Sequence, residues 1–522
     1  MPTSRIKTFW VPIIAGICLV LGITLGFFFA RRQSLNDPNN DLASNPLLYL
    51  SALLELYYVD PLPADSIYQY GVEGILNHLD PHTHYIQAKE LQALNEPLQG
   101  SFYGLGIIYF SFLDTLYVGE ILQGSPAQNI GLQVGDQLIE INQTPIRANE
   151  YADSVLRKNI QRETPQPIKL LVRNAKGITK TVICTPNKIQ RSSIRAHVML
   201  DSCSGLIAIE SFSETTAQEF HDALKQLKQE GLKKLIIDVR ANPGGYMDAV
   251  AQIADELISG NDTLFYTRDQ SGKEALMAGQ AGLFETGPLI VLLDEESASA
   301  SEILAGVVQD YDRGQVFGKR SFGKGLVQEQ FDLPNGDAIR ITTARYYLPS
   351  GRFIQRPYDA VSHQAYFNSE LSLDTAHRIP SFTRRLHRKV WSGRGIEPDV
   401  DIDTYEHIED VPDNLFIRKT VFDLVNQQQK EIPSFNSLQA MRQQARLPQQ
   451  WLTALNQAQR KLPDSVRFWG SKQTPYLTQL ALAEWANVVF GHNGQVMFSW
   501  PHDAVLREAL NSFKKNNKLF TY

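Results

Sequence analysis

The chain opens on one long apolar run. "FWVPIIAGICLVLGITLGFFFA" extends without a charge from Phe9 to Ala30, with Arg5 and Lys7 before it and Arg31 and Arg32 after it. Roughly 20 apolar residues span a bilayer as a helix, whereas a cleaved signal peptide has a shorter apolar core and a small-residue exit. "FFFA" is a poor exit, so residues 1–32 are predicted to be an uncleaved transmembrane signal anchor. Two basic residues on each side leave its orientation open. Residues 33–44, rich in Asn, Asp and Ser, read as a linker.

Beyond the linker the periodicity becomes helical. "PLLYLSALLELYYVDP" and "DSIYQYGVEGILNHLDPHTHYI" carry apolar residues at helix spacing, which predicts a helical segment over 45–98. From 99 to 187 the texture changes to short strand-like runs, "LGIIYF", "TLYVGEI", "QLIEIN" and "IKLLVRN". From 188 to 402 strands and helices alternate: "GLIAIESF" precedes "TTAQEFHDALKQLKQEG", and "KKLIIDVR" precedes "ANPGGYMDAVAQIADELI". "PLIVLLDEE" likewise precedes "SASEILAGVVQDY". That alternation predicts an α/β core. Residues 403–522 return to helical patterns, such as "YLTQLALAEWANVVF", with no chemistry-bearing motif.

Composition narrows the picture only a little. With 522 residues, and about 150 residues per domain, three or four domains are expected. A formal net charge of -6 gives no basic excess, so nucleic acid is not an expected partner; the short run "RRLHRK" (384–389) reads as solvated surface. Three cysteines make no disulfide framework. Cys18 lies in the apolar run, and Cys184 and Cys203 are either a pair or two free thiols. His82 and His84 form an H-x-H pair without an acidic or cysteine partner at ligand spacing, so no metal site is predicted.

The chemistry concentrates in "DEESASASEILAG" (294–306), where Ser297, Ser299 and Ser301 sit between a strand and a helix. A serine at such a turn lies beside unpaired helix N–H groups, which suits an oxyanion hole. Gly244 and Gly245 in "NPGG" are a second source of backbone donors. A structural reading competes, because Ser299 to Glu302 is also a capping box. Spacing alone does not separate the three serines. A nucleophile needs a base; His221 and His363 have uninformative surroundings, and His197 lies on a strand-like run. Lys324, between Gly323 and Gly325, is the outstanding candidate, since burial or nearby positive charge lowers a lysine's pKa. Ser321 to Lys324 also spells S-x-x-K, but the flanking glycines argue against the helix that motif requires.

Two stretches carry a resemblance. "GSPAQNIGLQVGDQLIEINQTPI" (124–146) resembles a PDZ domain, and "YGLGI" matches that family's carboxylate-binding loop, Tyr103, Gly104, Leu105, Gly106 and Ile107. Glycines there let backbone N–H groups converge on a peptide's terminal carboxylate; Leu105 and Ile107 are candidates to line the side-chain pocket. With "NPGG", "SASASEI" and "SFGKGLVQ" following in that order, residues 45–402 resemble the C-terminal processing (tail-specific) serine peptidases. "LDPHTHYI", "GRFIQRPY" and "GRGIEPDV" resemble further segments of that family.

The resemblance implies a crotonase-like α/β peptidase core over 188–402. A PDZ β domain over 99–187 precedes it, and helical segments lie on both sides. It implies Ser299 as nucleophile, Lys324 as general base and Gln328 as the residue orienting the lysine. The N–H groups of Gly244, Gly245 and Ala300 would form the oxyanion hole, and Asp310 matches an acidic position. No metal or organic cofactor is implied. The implied partners are protein or peptide substrates bound by their C-terminal tails. The implied location is the bacterial inner membrane, single-pass, with the catalytic part in the periplasm. The 403–522 extension is a candidate for dimerisation, giving a homodimer, or for substrate presentation. Two rivals are a membrane-tethered PDZ scaffold with an inactive peptidase domain, and acyl-CoA chemistry on the same fold.

Overall fold

The computed structural model describes residues 19–24, 45–60, 62–147, 155–156, 159–160, 166–260, 262–272, 274–278, 281–358, 366–367, 379–402, 414–428, 433–460 and 474–515. Among them no helix is long and apolar enough to cross a membrane. The expected anchor lies outside the described residues except for helical 19–24, and the expected linker lies wholly outside them, as does His363. The chain divides into two compact units. One comprises Met1–Gln87, Glu329–Thr342 and Tyr358–Ser369; the other comprises Ala88–Gln328, Thr343–Pro357 and Glu370–Tyr522.

In the first unit, helices Pro46–Tyr57 and Ala64–Leu76 form where the helical periodicity predicts them. Asn45 caps the first, its Oδ1 accepting the Leu47 N–H at 3.0 Å. The strand His84–Ile86 pairs antiparallel with residues 338–340. His82 is buried, with Nε2 3.0 Å from the Tyr366 hydroxyl. Among the described residues, no group of three or more His, Cys, Asp or Glu is placed to hold a metal ion.

In the second unit, five main strands form a sheet in the order Ile107–Phe112, Thr115–Ile121, Gln137–Ile141, Ile168–Arg173, Thr179–Cys184. The pair Thr144–Pro145 extends it beside the third strand. Period-two alternation gives this sheet two apolar faces. Leu116, Val118, Leu138, Leu170 and Val172 fill the domain's own core, whereas Phe110, Phe112 and Tyr117 turn the other way. Ile107–Phe112 lies at one edge of the order. Cys184 is buried, which pushes its thiol up to about 11, and both Cys184 and Cys203 are free.

The α/β core is built on a six-stranded sheet: Ile194–Met199, Ser204–Ile209, Lys234–Asp238, Leu289–Leu293, Gln315–Gly318 and Val400–Asp401, in that order. The first pair is antiparallel and the rest are parallel. Runs such as "LIVLL" are apolar without a break because both faces are covered. Leu289, Val291 and Leu293 face helices Thr216–Gln229, Met247–Asp255 and Ala300–Asp310. Ile290 and Leu292 face the opposite way, into a cluster shared with the C-terminal helices.

That second cluster shows what residues 414–515 do in the fold. Helix Asn414–Gln427 contributes Phe416, Ile417, Val421 and Phe422, and Trp451 and Trp485 lie beside them. Phe110 meets Phe422 edge-on at 6.0 Å between ring centroids, and Phe112 meets Phe416 at 6.1 Å. Each such apolar side chain contributes roughly 1.5–3 kcal/mol when fully buried. The C-terminal helices therefore seal two surfaces at once, the outer face of the core sheet and the outer face of the preceding β domain.

Candidate active site

The parallel strand Leu289–Leu293 ends beside "DEESASAS", and the helix Ala300–Asp310 begins there. The three serines now separate by burial. Ser297 and Ser301 are each 0 % exposed, while Ser299 keeps partial exposure. Ser297 Oγ donates to Val239 O at 2.8 Å, and Ser301 Oγ donates to Asn242 O at 2.9 Å. Both outer hydroxyls stitch the loop to the neighbouring strand's turn. Of the three, Ser299 alone keeps a side chain that is not fully buried.

Its backbone is held in an unusual shape. Ser299 has φ 56 and ψ -113, a region a side chain normally avoids and one that the surrounding structure must over-determine. The half of the capping box that carries a hydrogen bond here runs from the Ser299 N–H to Glu302 Oε2 at 2.8 Å. The Ala300 N–H stands at the first turn of the helix, where backbone donors have no intrahelical partner.

The "NPGG" turn closes over this serine. Asn242 is fully buried: Nδ2 donates to Ile209 O at 2.9 Å, Oδ1 accepts the Gly244 N–H at 2.8 Å, and its carbonyl accepts the Ala298 N–H at 3.1 Å as well as the Ser301 hydroxyl. A Cβ on Gly244 would lie 2.7 Å from Ser299 Cβ and 2.9 Å from Ala300 N, so only glycine permits this approach. Gly244 thus supplies close contact, while its own N–H is committed to Asn242. Of the three expected donors, Gly245 and Ala300 remain.

Lys324 lies in an extended stretch that leads into the strand Leu326–Asp332. Its Nζ donates to Gln328 Oε1 at 2.7 Å. Glu302 joins this stretch to the serine. Its Oε2 accepts the Lys324 N–H at 2.8 Å as well as that of Ser299, and its Oε1 accepts the Gly323 N–H at 2.7 Å and the Ser321 hydroxyl at 2.6 Å. Burial pushes the Glu302 carboxyl up to about 7, while the donated bonds pull the other way. The S-x-x-K serine is thereby accounted for: Ser321 is buried on Glu302, in no helix.

The remaining candidates fall elsewhere. Asp310 is fully buried at the far end of the Ser299 helix, 2.8 Å from Arg352, with Oδ2 accepting the Ser350 N–H at 2.9 Å. Burial pushes its carboxyl up and the arginine beside it pulls it down. His221 pairs with Glu256 at 2.6 Å and His197 Nε2 lies 3.2 Å from Gln226. In the β domain, Gly106 has φ 77, and a Cβ there would meet Ser125 Cβ at 2.1 Å. Leu105 is 2 % exposed and packs in the domain's own core, and its carbonyl accepts the Ala127 N–H at 2.9 Å. Ile107 is half-buried at the start of the edge strand.

Glu302, Asn242 and Tyr346 were not legible as site residues. The spacing of Glu302 from Ser299 was visible, but only as a local cap. Tyr346 donates its hydroxyl to Lys324 O at 2.6 Å, a contact no local pattern signals.

Ser299 at the helix N-terminus, the Lys324 amide tied to the Ser299 amide through Glu302, and the NPGG turn against the serine backbone make up the candidate site. Residues 204–361 match Peptidase family S41 and residues 99–173 match the PDZ domain, so over these stretches the chain is similar to C-terminal processing serine peptidases. It is 28 % identical over 349 residues to the carboxy-terminal processing protease CtpB of Bacillus subtilis (strain 168), covering 64 % of this chain and 71 % of that one. It is 26 % identical over 411 residues to a probable CtpA-like serine protease of Staphylococcus aureus (strain bovine RF122 / ET3-1), covering 77 % and 74 %. Among solved structures, the photosystem II D1 C-terminal processing protease is similar at 23 % identity over 73 % of this chain and 92 % of that chain. Its TM-score of 0.36 is too low to bear on the fold.

Proposed function

We propose that the chain is a membrane-anchored serine endopeptidase working through a Ser299/Lys324 dyad on polypeptides selected by their C-terminal tails. Ser299 Oγ attacks the scissile carbonyl carbon, forming a C–O bond, while Lys324 in its neutral form takes the hydroxyl proton. The N–H groups of Ala300 and Gly245 receive the developing oxyanion. Collapse breaks the C–N bond, and Lys324 passes its proton to the leaving amine. Water then attacks the acyl-serine, giving one proton to Lys324, which returns it to Ser299 as the acid leaves. Gln328 holds the lysine amine so that its lone pair faces the serine. No metal or organic cofactor enters any of these steps.

The observation that carries this reading is the shared carboxylate oxygen: Glu302 Oε2 accepts the amides of both Ser299 and Lys324, at 2.8 Å each. Tail selection is supported by the Gly104–Gly106 loop leading into the edge strand Ile107–Phe112, to which an extended peptide adds by backbone pairing. The apolar run 9–30 supports an inner-membrane anchor in a bacterium, and the family resemblance supports a periplasmic catalytic part.

The test uses the full chain in detergent and unfolded polypeptides ending either in a free apolar carboxyl terminus or in its amide. Cleavage confined to free tails, and abolished in both Ser299→Ala and Lys324→Ala, is the expected result. Tail binding without cleavage by the unaltered chain would instead favour the scaffold reading. Placement is checked with alkaline phosphatase fused after Tyr522, which is active only outside the cytoplasm.

A further inference from the structure

Four backbone groups decide where the Ser299 and Lys324 side chains point: the amide and the carbonyl of each residue. The two amides end on Glu302 Oε2. The two carbonyls face a second shared atom. Tyr346 Oη lies 2.6 Å from Lys324 O and 3.3 Å from Ser299 O, donating mainly to the first. The Tyr346 N–H also donates to Gly325 O at 3.1 Å, so this residue grips two consecutive carbonyls of the lysine segment. The base is thus held before and after its Cα by this pair of side chains, while the Ser299 carbonyl accepts chiefly the Ile303 N–H at 2.9 Å and has Tyr346 Oη as a second, longer contact.

Resting on the dyad reading above, we propose that Tyr346 is a positioning residue for catalysis, its hydroxyl fixing the peptide planes that aim Lys324 at Ser299. Tyr346 belongs to the strand Ala338–Tyr347 and is 1 % exposed, so it comes from neither the serine helix nor the lysine segment. Its neighbour Tyr347 stacks on Tyr266 at 5.1 Å between centroids, and a strand's alternation sends the two rings to opposite faces. Burial and the nearby Glu302 carboxylate raise the Tyr346 phenol well above its ordinary value, which keeps the hydroxyl protonated and a donor. The positive φ of Ser299 gives this grip its purpose, because a strained backbone relaxes when its restraints are removed. A reacting group displaced by about 1 Å loses on the order of 100-fold in rate.

The experiment compares the full chain, Tyr346→Phe, and a chain carrying 4-aminophenylalanine at position 346, which restores an N–H donor. Turnover of a free-tail polypeptide, the melting temperature and the rate at which a fluorophosphonate labels Ser299 are measured for each. Tyr346→Phe is expected to lower kcat about 10- to 100-fold with KM within about twofold, and to slow labelling in step. The aminophenylalanine chain is expected to recover most of both. Wild-type kcat in Tyr346→Phe, while Ser299→Ala and Lys324→Ala are inactive, overturns the proposal and leaves the dyad standing. A melting temperature restored by aminophenylalanine without turnover also overturns it, by making the hydroxyl structural only. Activity in Ser299→Ala or Lys324→Ala removes the dyad itself, and the proposal with it.

Discussion

Lys324 Nζ donates to Gln328 Oε1 at 2.7 Å. The bond fixes one N–H direction of the amine, and with it the direction of the lone pair that must receive the serine proton. Gln328→Ala leaves the lysine in place but releases that direction. A net hydrogen bond of about 1 kcal/mol corresponds to a roughly 5- to 10-fold fall in kcat, with KM little changed. Steady-state kinetics on a free-tail polypeptide measure it.

Glu302 couples activity and stability to pH in opposite senses. Its folded-state carboxyl is raised to about 7 from an ordinary value of 4.5. A raised group contributes stability that is present below the unfolded value and lost as pH rises through the folded one. Between pH 4.5 and 7 the contribution lost is about 3 kcal/mol. Activity runs the other way, because protonation places an O–H where the amides of Ser299 and Lys324 both donate. The expected result is a kcat that falls below about pH 7 and a melting temperature that falls as pH rises from about 4.5 to 7 and levels off above that. In Glu302→Gln the melting temperature should lose most of that pH dependence, which a thermal-unfolding series from pH 4 to 8 would reveal.

The tail loop offers a substitution that separates binding from chemistry. At Gly106→Ala the new Cβ would meet Ser125 Cβ at 2.1 Å, on a backbone with φ 77. The loop must shift. Affinity for a free-carboxyl peptide, read by fluorescence anisotropy, is expected to drop at least tenfold, while fluorophosphonate labelling of Ser299 stays within about twofold of wild type. Equal loss of both would show that the loop is not an independent binding element.

Different parts of this molecule were legible to different degrees, for physical reasons. Strand and helix alternation from "GLIAIESF" to "SASEILAGVVQDY" reports local burial periodicity, so the core's layering could be read directly. The choice among Ser297, Ser299 and Ser301 could not, because all three are small, polar and two residues apart. What separates them is where Val239 and Asn242 place acceptors, and that is tertiary. Glu302 was half visible, since a cap is local but its bonds to Gly323 and Lys324 join segments separated by the rest of the helix Ala300–Asp310 and the strand Gln315–Gly318. Gly244 looked like an oxyanion donor because glycine signals close approach; that its amide is committed to Asn242 depends on a rotamer. Leu105 looked like a pocket residue and proved to be core, because a strand end shows no periodicity of its own. The helical texture after 402 was plain, whereas its burial against two separate sheets was not, because apolar spacing tells a helix which face to bury but not against what.

Phe110 and Phe112 are covered by Phe422 and Phe416, side chains from the other end of the chain. Ribosomes build proteins from the N-terminus, so during synthesis the PDZ domain emerges with this greasy face bare. The missing cover is made only after the whole peptidase core. Until then the half-finished chain carries an exposed aromatic surface, and contacts of such long sequence separation form slowly. A fragment that stops short of Asn414 would keep the serine, the lysine and the tail loop, yet remain as sticky as the nascent chain.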